Sequence, residues 1–387
     1  MTAGGFSSKR LVRLRALQER YVASGLVPGM VAVLARRGEV YVEATGRLAF
    51  EGAGAQVPMA TDTVVRMASM TKPVVAACVM TMIEDCTLRL DDPIDEFVPE
   101  LANMRVLADP SGPLEDTVAA ARSITVRDVL TFTLGTGMAP EDSPISAAMD
   151  KLGGPTLDEW VAGLGRLPLV HQPGERWLYD TGADVAGVLI QRAAGKSFGA
   201  ALQERILEPL GMKDTGFSVE PGSLDRFAAA YHQDNAPTGE AVVLSDEAYW
   251  TKPKTLEGGS GGLVSTADDY LTFASALLAG GAGVLSRAAV SLMTSDQLTP
   301  TQREISGFWP GYFANTSWGL GLGLVTRRTN LGPSAGSYGW SGFYGTAWYN
   351  DPAEDLTALL IQQRAHAGDA RLPLPRDFWT TIYQALD

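Results

Sequence analysis

The chain has 387 residues, more than one ordinary core of about 100 to 200 residues holds, so two lobes are expected. Hydrophobic residues make up 45% and charged residues 19%, with eight tryptophans, a composition that builds a large core and excludes a disordered protein. Forty-four acidic against 31 basic residues leave a net charge of -13, which repels phosphate backbones and anionic headgroups and argues against nucleic acid and membranes as partners.

In chain order, Leu11, Leu14, Leu17 and Tyr21 fall at helical spacing among arginines and predict a first helix. This stretch lacks the apolar core of a signal peptide, and no run of about 18 apolar residues follows, so a cytoplasmic chain is the simplest expectation. VAVLARRGEVYVEATG alternates on both sides of Arg37-Gly38 and predicts a hairpin starting near Val31. From Ser69 to Ile83, SMTKPVVAACVMTMI is apolar after its first turn, which predicts a helix buried on most sides, with Pro73 in the first turn. ITVRDVLTF, LDEWVAGL, GADVAGVLIQRAAG and FGAALQERILEPLGM then read as helical stretches between Gly and Pro punctuation. From Gly258 the β pattern returns in SWGLGLGLV, GTAWYND and LTALLIQQ, before a closing helix ending at Asp387. Residues 1–65 and 258–387 thus form one α/β unit around a shared sheet, and residues 66–257 form a mostly helical lobe inserted between them.

Cys78 and Cys86 lie eight residues apart in one predicted helix, too far along its axis for a disulfide. His171, His232 and His366 are scattered with no HExxH or CxxC pairing, so no metal site is expected.

Nucleophilic catalysis needs a side-chain oxygen or sulfur with a base beside it. Ser69 and Lys72 satisfy this, because residues three apart on a helix share a face, here at a helix start where backbone N–H groups point outward. Of the seven lysines only Lys72 has a serine three residues before it. Burial in so apolar a helix is expected to depress the amine and make it a base. The plain alternative is a solvated capping serine followed by a chance lysine. A rival nucleophile, Ser260, sits in Gly258-Gly259-Ser260-Gly261-Gly262, a G-x-S-x-G pattern. A nucleophile elbow, however, needs a strand before it and a histidine after it, and TKPKTLE is no strand while His366 is the one later histidine.

Ser69-x-x-Lys72 inside RMASMTKPVVA resembles the first motif of the serine β-lactamase and penicillin-binding-protein superfamily. ITVRDVLTFTLGTG, QPGERWLYD, LEPLGMKDTGF and GGSGGLVSTADDYLTF agree with that family over nearly the whole chain. The chain looks most like the class C β-lactamase-like group and its esterase branch, the family VIII carboxylesterases, in which the glycine-flanked serine is a bystander. The resemblance implies the β-lactamase-like α/β (α+β) fold, an antiparallel sheet flanked by helices with an inserted all-helical lobe. It also implies that Tyr179, in Tyr179-Asp180-Thr181, is the phenol of the family's Tyr-x-Asn motif, with the asparagine lost. A core tyrosine is the plain reading. Trp340-Ser341-Gly342 stands where the family has Lys-Thr-Gly, and the N–H groups of Ser69 and Phe343 would form the oxyanion hole. Trp340 supplies packing area and one N–H but no charge, so a carboxylate-bearing lactam loses its partner there. Packing on an edge strand is the plainer role.

Phe308, Trp309, Tyr312, Phe313 and Trp318 crowd a Gly- and Pro-rich loop, where they line a substrate pocket or simply pin the loop. Phe132 and Leu134, which replace a histidine and a serine of the family's common segment, carry a packing meaning only. The reading that follows is a serine hydrolase, a carboxylesterase that cleaves short-chain carboxylic esters through an acyl-enzyme. Ser69, Lys72 and Tyr179 are the catalytic residues and Trp340, Ser341, Gly342, Phe308, Trp309 and Tyr312 contact substrate. The chemistry requires no cofactor, and the partner is a small-molecule ester. A β-lactamase or D-peptidase, an acyltransferase using the same intermediate, and a non-enzymatic binding protein are the alternatives.

Overall fold

Strand β1 (Gly29–Arg36) is apolar on both faces, so it has to lie inside a sheet that is covered on two sides. In the computed structural model, which describes residues 3–233, 241–244, 247–365 and 373–387, it does. Met30, Ala32 and Leu34 enter one hydrophobic cluster and Val31 and Val33 the other, as the two-residue side-chain period requires. β2 (Glu39–Gly46) pairs with β1 across Arg37 and Gly38, whose φ values of 51° and 79° suit the two-residue turn that matches strand twist. The C-terminal part supplies β3 (Thr316–Trp318), β4 (Gly323–Val325), β5 (Tyr338–Ser341), β6 (Ala347–Asp351) and β7 (Leu356–Ile361). The sheet runs β2-β1-β7-β6-β5-β4-β3 and is antiparallel throughout, with Val31 opposite Ile361 where the two ends of the chain meet. The expected antiparallel sheet flanked by helices is the architecture found.

Helix α1 (Ser8–Ala23) covers one face together with the C-terminal helix Pro373–Tyr383, and Tyr21 Oη donates to Asp377 at 2.8 Å between them. On the other face lie α2 (Thr71–Glu84), α3 (Val126–Thr131), α4 (Thr181–Ala194) and α5 (Ala267–Leu278). α5 packs on β6 and β7, and α2 packs on α4. α2 is buried continuously from Thr71 to Met80, as its apolar run predicts. A two-residue ladder of Val65–Arg66 with Val264–Ser265 ties the segment before α2 to the segment after Ser260.

Three boundaries differ from the sequence reading. SWGLGLGLV is two strands rather than one, because the chain turns at Gly319 to Leu322 (Gly319 N to Leu322 O, 2.9 Å). A Cβ at Gly321 would stand 2.3 Å from Ala76 Cβ, so this glycine lets the sheet edge meet α2. The helix at Ser69 opens with a 3-10 turn, Ala68–Met70, before α2 begins at Thr71. The closing helix stops at Tyr383 rather than Asp387. His366 lies outside the described residues. Among the described residues no helix is long and apolar enough to cross a membrane.

Candidate active site

The 3-10 turn that carries Ser69 is held from two sides. Met67 N donates to Leu263 O at 2.9 Å, and Thr346 Oγ1 donates to Met67 O at 3.2 Å. Ala68 between them has φ 46°, a left-handed conformation that an alanine adopts only under constraint. Ser69 therefore sits on a fixed backbone kink at the head of a buried helix.

Lys72 is buried, and its ammonium donates three hydrogen bonds: to Ser69 Oγ at 3.1 Å, to Asp180 Oδ1 at 2.6 Å and to Ser260 O at 2.6 Å. Three acceptors match the three N–H bonds of a protonated lysine, whereas a neutral amine has only two. The expected depression of this group is thereby corrected. Burial does pull it down, but Tyr179, the charge and hydrogen bond of Asp180, and Asp184 together raise it above its usual value. Asp184 is itself pushed up to about 6, first by burial and then by the charge of Asp180, while its bond from Ser260 N at 2.9 Å and the Lys72 charge oppose the rise.

Tyr179 precedes α4 and meets Lys72 face-on, with Nζ 4.4 Å from the ring centroid. Its hydroxyl is engaged elsewhere: Trp340 Nε1 donates to Tyr179 Oη at 2.6 Å. Among the described residues no hydrogen bond joins Tyr179 Oη to Ser69 or Lys72. The ring is enclosed by Phe308, Trp177, Trp340, Phe132 and Trp318, with centroids 5.0 to 6.2 Å away. Trp340 is fixed in turn by Trp318, whose ring lies 4.5 Å away edge-on.

At the end of β5, Ser341 is exposed and Gly342 is pressed against the Ser69 turn, for a Cβ on Gly342 would stand 2.2 Å from Met67 O. Gly342 N donates to Thr346 O at 2.8 Å, which leaves the next N–H, that of Phe343, as the one at the head of the tight turn to Gly345. The Phe343 side chain is 54% exposed. Ser260 follows no strand. It contributes backbone: its carbonyl to Lys72 and its N–H to Asp184. The neighbouring glycines make this approach possible, since a Cβ at Gly259 would lie 2.1 Å from Ala183 O.

Of the aromatic loop, Phe308 reaches Tyr179 at 5.0 Å and Tyr312 stacks on Trp177 at 6.0 Å. Trp309 is 52% exposed and packs on Phe308 and Tyr312, away from Tyr179. Phe132 and Leu134 are buried in the core. Among the described residues no group of three or more His, Cys, Asp or Glu could hold a metal ion. Sequence reasoning missed Asp180, Asp184 and the Ser260 carbonyl. Asp184 was detectable as an acid in the first turn of the helix that follows Tyr179, whereas Asp180 lies outside that helix, with φ 92°.

A family model described as Beta-lactamase matches residues 14–377. Protein Rv1367c of Mycobacterium tuberculosis (strain ATCC 25618 / H37Rv) is 38% identical over 351 residues, covering 88% of this chain and 86% of that protein. Esterase EstB of Burkholderia gladioli is 32% identical over 384 residues, 92% of this chain and 91% of that one. The solved structure of EstCE1, described as a hydrolase with promiscuous acyltransferase activity, has the same fold, with a TM-score of 0.79 at 24% identity over 97% of this chain and 99% of that one. With a Ser69–Lys72 pair at hydrogen-bond distance, a sheet built from both chain ends and a family match across nearly its whole length, the chain belongs to the beta-lactamase family.

Proposed function

We propose that this chain is a serine hydrolase that opens short-chain carboxylic esters through an acyl-enzyme, with Ser69 as nucleophile. The observation that carries the reading is Lys72 Nζ at 3.1 Å from Ser69 Oγ, at the head of a buried helix. Lys72 is a cation at rest, so it is not the resting base. The Lys72 ammonium faces the Tyr179 ring and Trp340 Nε1 donates to the phenol oxygen, so negative charge developing there is stabilised, and Tyr179 takes the Ser69 proton as Oγ attacks the carbonyl. The proton then passes to the departing alkoxide, the alcohol leaves, and water releases the acid from Ser69 by the reverse proton path. The N–H groups of Ser69 and Phe343 stabilise the oxyanion, a backbone role that the side-chain change from Lys-Thr-Gly does not remove.

Esters are favoured over lactams because Trp340 places an indole, already bound to Tyr179, where a lactam carboxylate would need a cation. A charged hydrogen bond of this kind is worth about 1.5 to 3 kcal/mol. The relation to an esterase at 32% identity supports the same choice. The test is kcat/KM for p-nitrophenyl butyrate and for benzylpenicillin on one preparation. The ester is expected to lead by about a hundredfold or more. Equal turnover of the penicillin would replace the esterase reading with a β-lactamase.

A further inference from the structure

The Gly258–Gly262 segment is no nucleophile elbow, yet it runs between the two parts of the site. Its first half lies on the start of α4: Ser260 N donates to Asp184 Oδ1 at 2.9 Å, and a Cβ at Gly259 would overlap Ala183 O. Its second half lies on the Ser69 turn, where a Cβ at Gly261 would touch Ala68 Cα at 3.5 Å. Leu263, which follows, donates to Thr71 Oγ1 at 3.1 Å and accepts from Met67 N at 2.9 Å. Gly262 N closes the segment on Gly258 O at 2.9 Å. Backbone wedged this closely between α4 and the Ser69 turn leaves no room for side chains, which accounts for the glycines that flank Ser260.

From the middle of this segment Ser260 O accepts from Lys72 Nζ at 2.6 Å. One torsion about the Cε–Nζ bond directs all three N–H bonds of an ammonium. The two short bonds, to Asp180 Oδ1 and Ser260 O, both at 2.6 Å, set that torsion, and the third N–H then points to Ser69 Oγ at 3.1 Å. Both short acceptors depend on the start of α4, Asp180 directly and Ser260 O through the bond that Asp184 makes to the same residue. Lys72 is buried, so an acceptor that drifts away leaves an N–H unsatisfied or turns the ammonium off its aim. Among the described residues Asp184 makes no hydrogen bond to Ser69 or Lys72, and its effect on them runs through Ser260.

We propose that Asp184 is a positioning residue for Ser69: by holding the main chain of Ser260 it keeps that carbonyl on Lys72 and aims the remaining ammonium N–H at Ser69 Oγ. This N–H fixes the Oγ rotamer and stabilises the charge that Oγ acquires as it loses its proton. The inference rests on Ser69 as the nucleophile and adds a residue that acts on it at one remove. It requires an acceptor at position 184 rather than a charge, so Asn serves there and Ala does not.

The experiment measures the rate at which a neutral fluorophosphonate labels Ser69, together with kcat and KM for p-nitrophenyl butyrate, in Asp184→Asn and Asp184→Ala. Asp184→Ala should slow labelling and lower kcat about ten- to hundredfold with KM little changed, whereas Asp184→Asn stays within about threefold of the wild type. Wild-type rates in Asp184→Ala overturn the inference. Equal losses in Asp184→Asn and Asp184→Ala also overturn it, because the charge and not the bond would then be at work. Hydrogen exchange of the peptide containing Gly258–Gly262 needs no substrate. The Ser260 N–H should be protected in the wild type and in Asp184→Asn, and should exchange about tenfold faster in Asp184→Ala. An unprotected Ser260 N–H in the wild type overturns the inference even where Asp184→Ala fails to fold. Labelling of Ser69 that depends on residue 184 as expected, in a protein that cleaves no ester, would count against the ester reading alone.

Discussion

Lys72 Nζ and Asp180 Oδ1 stand 2.6 Å apart, joining a fully buried ammonium to a carboxylate whose side chain is 48% exposed. The pair makes the lysine a fixed cation at the base of the site. Replacing Asp180 by Asn keeps a hydrogen-bond acceptor but removes the negative charge, so the Lys72 value falls. The raised value keeps the ammonium intact through the neutral range and lets it go only as pH rises through it. The alkaline limb of the kcat/KM profile should therefore move to lower pH in Asp180→Asn. An unmoved limb would show that the ammonium is not the group titrating there.

Trp340→Phe retains the ring packing on Trp318 but deletes the N–H bound to Tyr179 Oη. Tyr179 Oη loses a donor, and kcat should fall about tenfold, with KM for a short neutral ester little changed. Tyr179→Phe should be the more severe, at about a hundredfold or more in kcat. If both variants match the wild type, the phenol is a packing residue.

Ser260→Ala leaves both functions of that residue in place, since its carbonyl holds Lys72 and its N–H holds Asp184 through the backbone. Steady-state assays should find most ester hydrolysis retained, against none in Ser69→Ala. Activity lost in Ser260→Ala and kept in Ser69→Ala would reverse the assignment.

Much of this site was legible in the sequence because a helix converts spacing into proximity. Ser69 and Lys72 needed only the knowledge that residues three apart share a face. Asp180 was not legible in the same way. Its carboxylate reaches Lys72 across 108 residues because position 180 takes φ 92° just before α4, a backbone choice that no residue type dictates. The Ser260 carbonyl is a main-chain group and leaves no side-chain signature at all. The lysine value was misjudged for a related reason: burial can be read from an apolar run, whereas the three acidic groups that outweigh it come from a distant segment. In the sheet, Val31 and Leu34 announced their strand, but the turn that splits SWGLGLGLV depends on α2 standing against Gly321.

Asp184 yields a prediction about stability. Its folded value, about 6, lies above the ordinary carboxylate value, so folding favours its protonated form, and this contribution to stability is present at low pH and lost as pH rises from about 4 through about 6. Asn at this position keeps an acceptor for Ser260 N and does not titrate. The melting temperature of Asp184→Asn relative to wild type should thus become more favourable between pH 4.5 and 7.5 by roughly a few degrees. A difference that is flat across that range would mean that Asp184 is not held protonated by its surroundings.

The most direct measurement is the mass of the protein quenched in acid during turnover of a p-nitrophenyl ester, followed by peptide mapping. Nucleophilic catalysis at Ser69 predicts an acyl mass added to the peptide containing Ser69-Met70-Thr71-Lys72, and its absence in Ser69→Ala. An acyl group found on the Ser260 peptide, or rapid turnover by a Ser69→Ala protein, would contradict it.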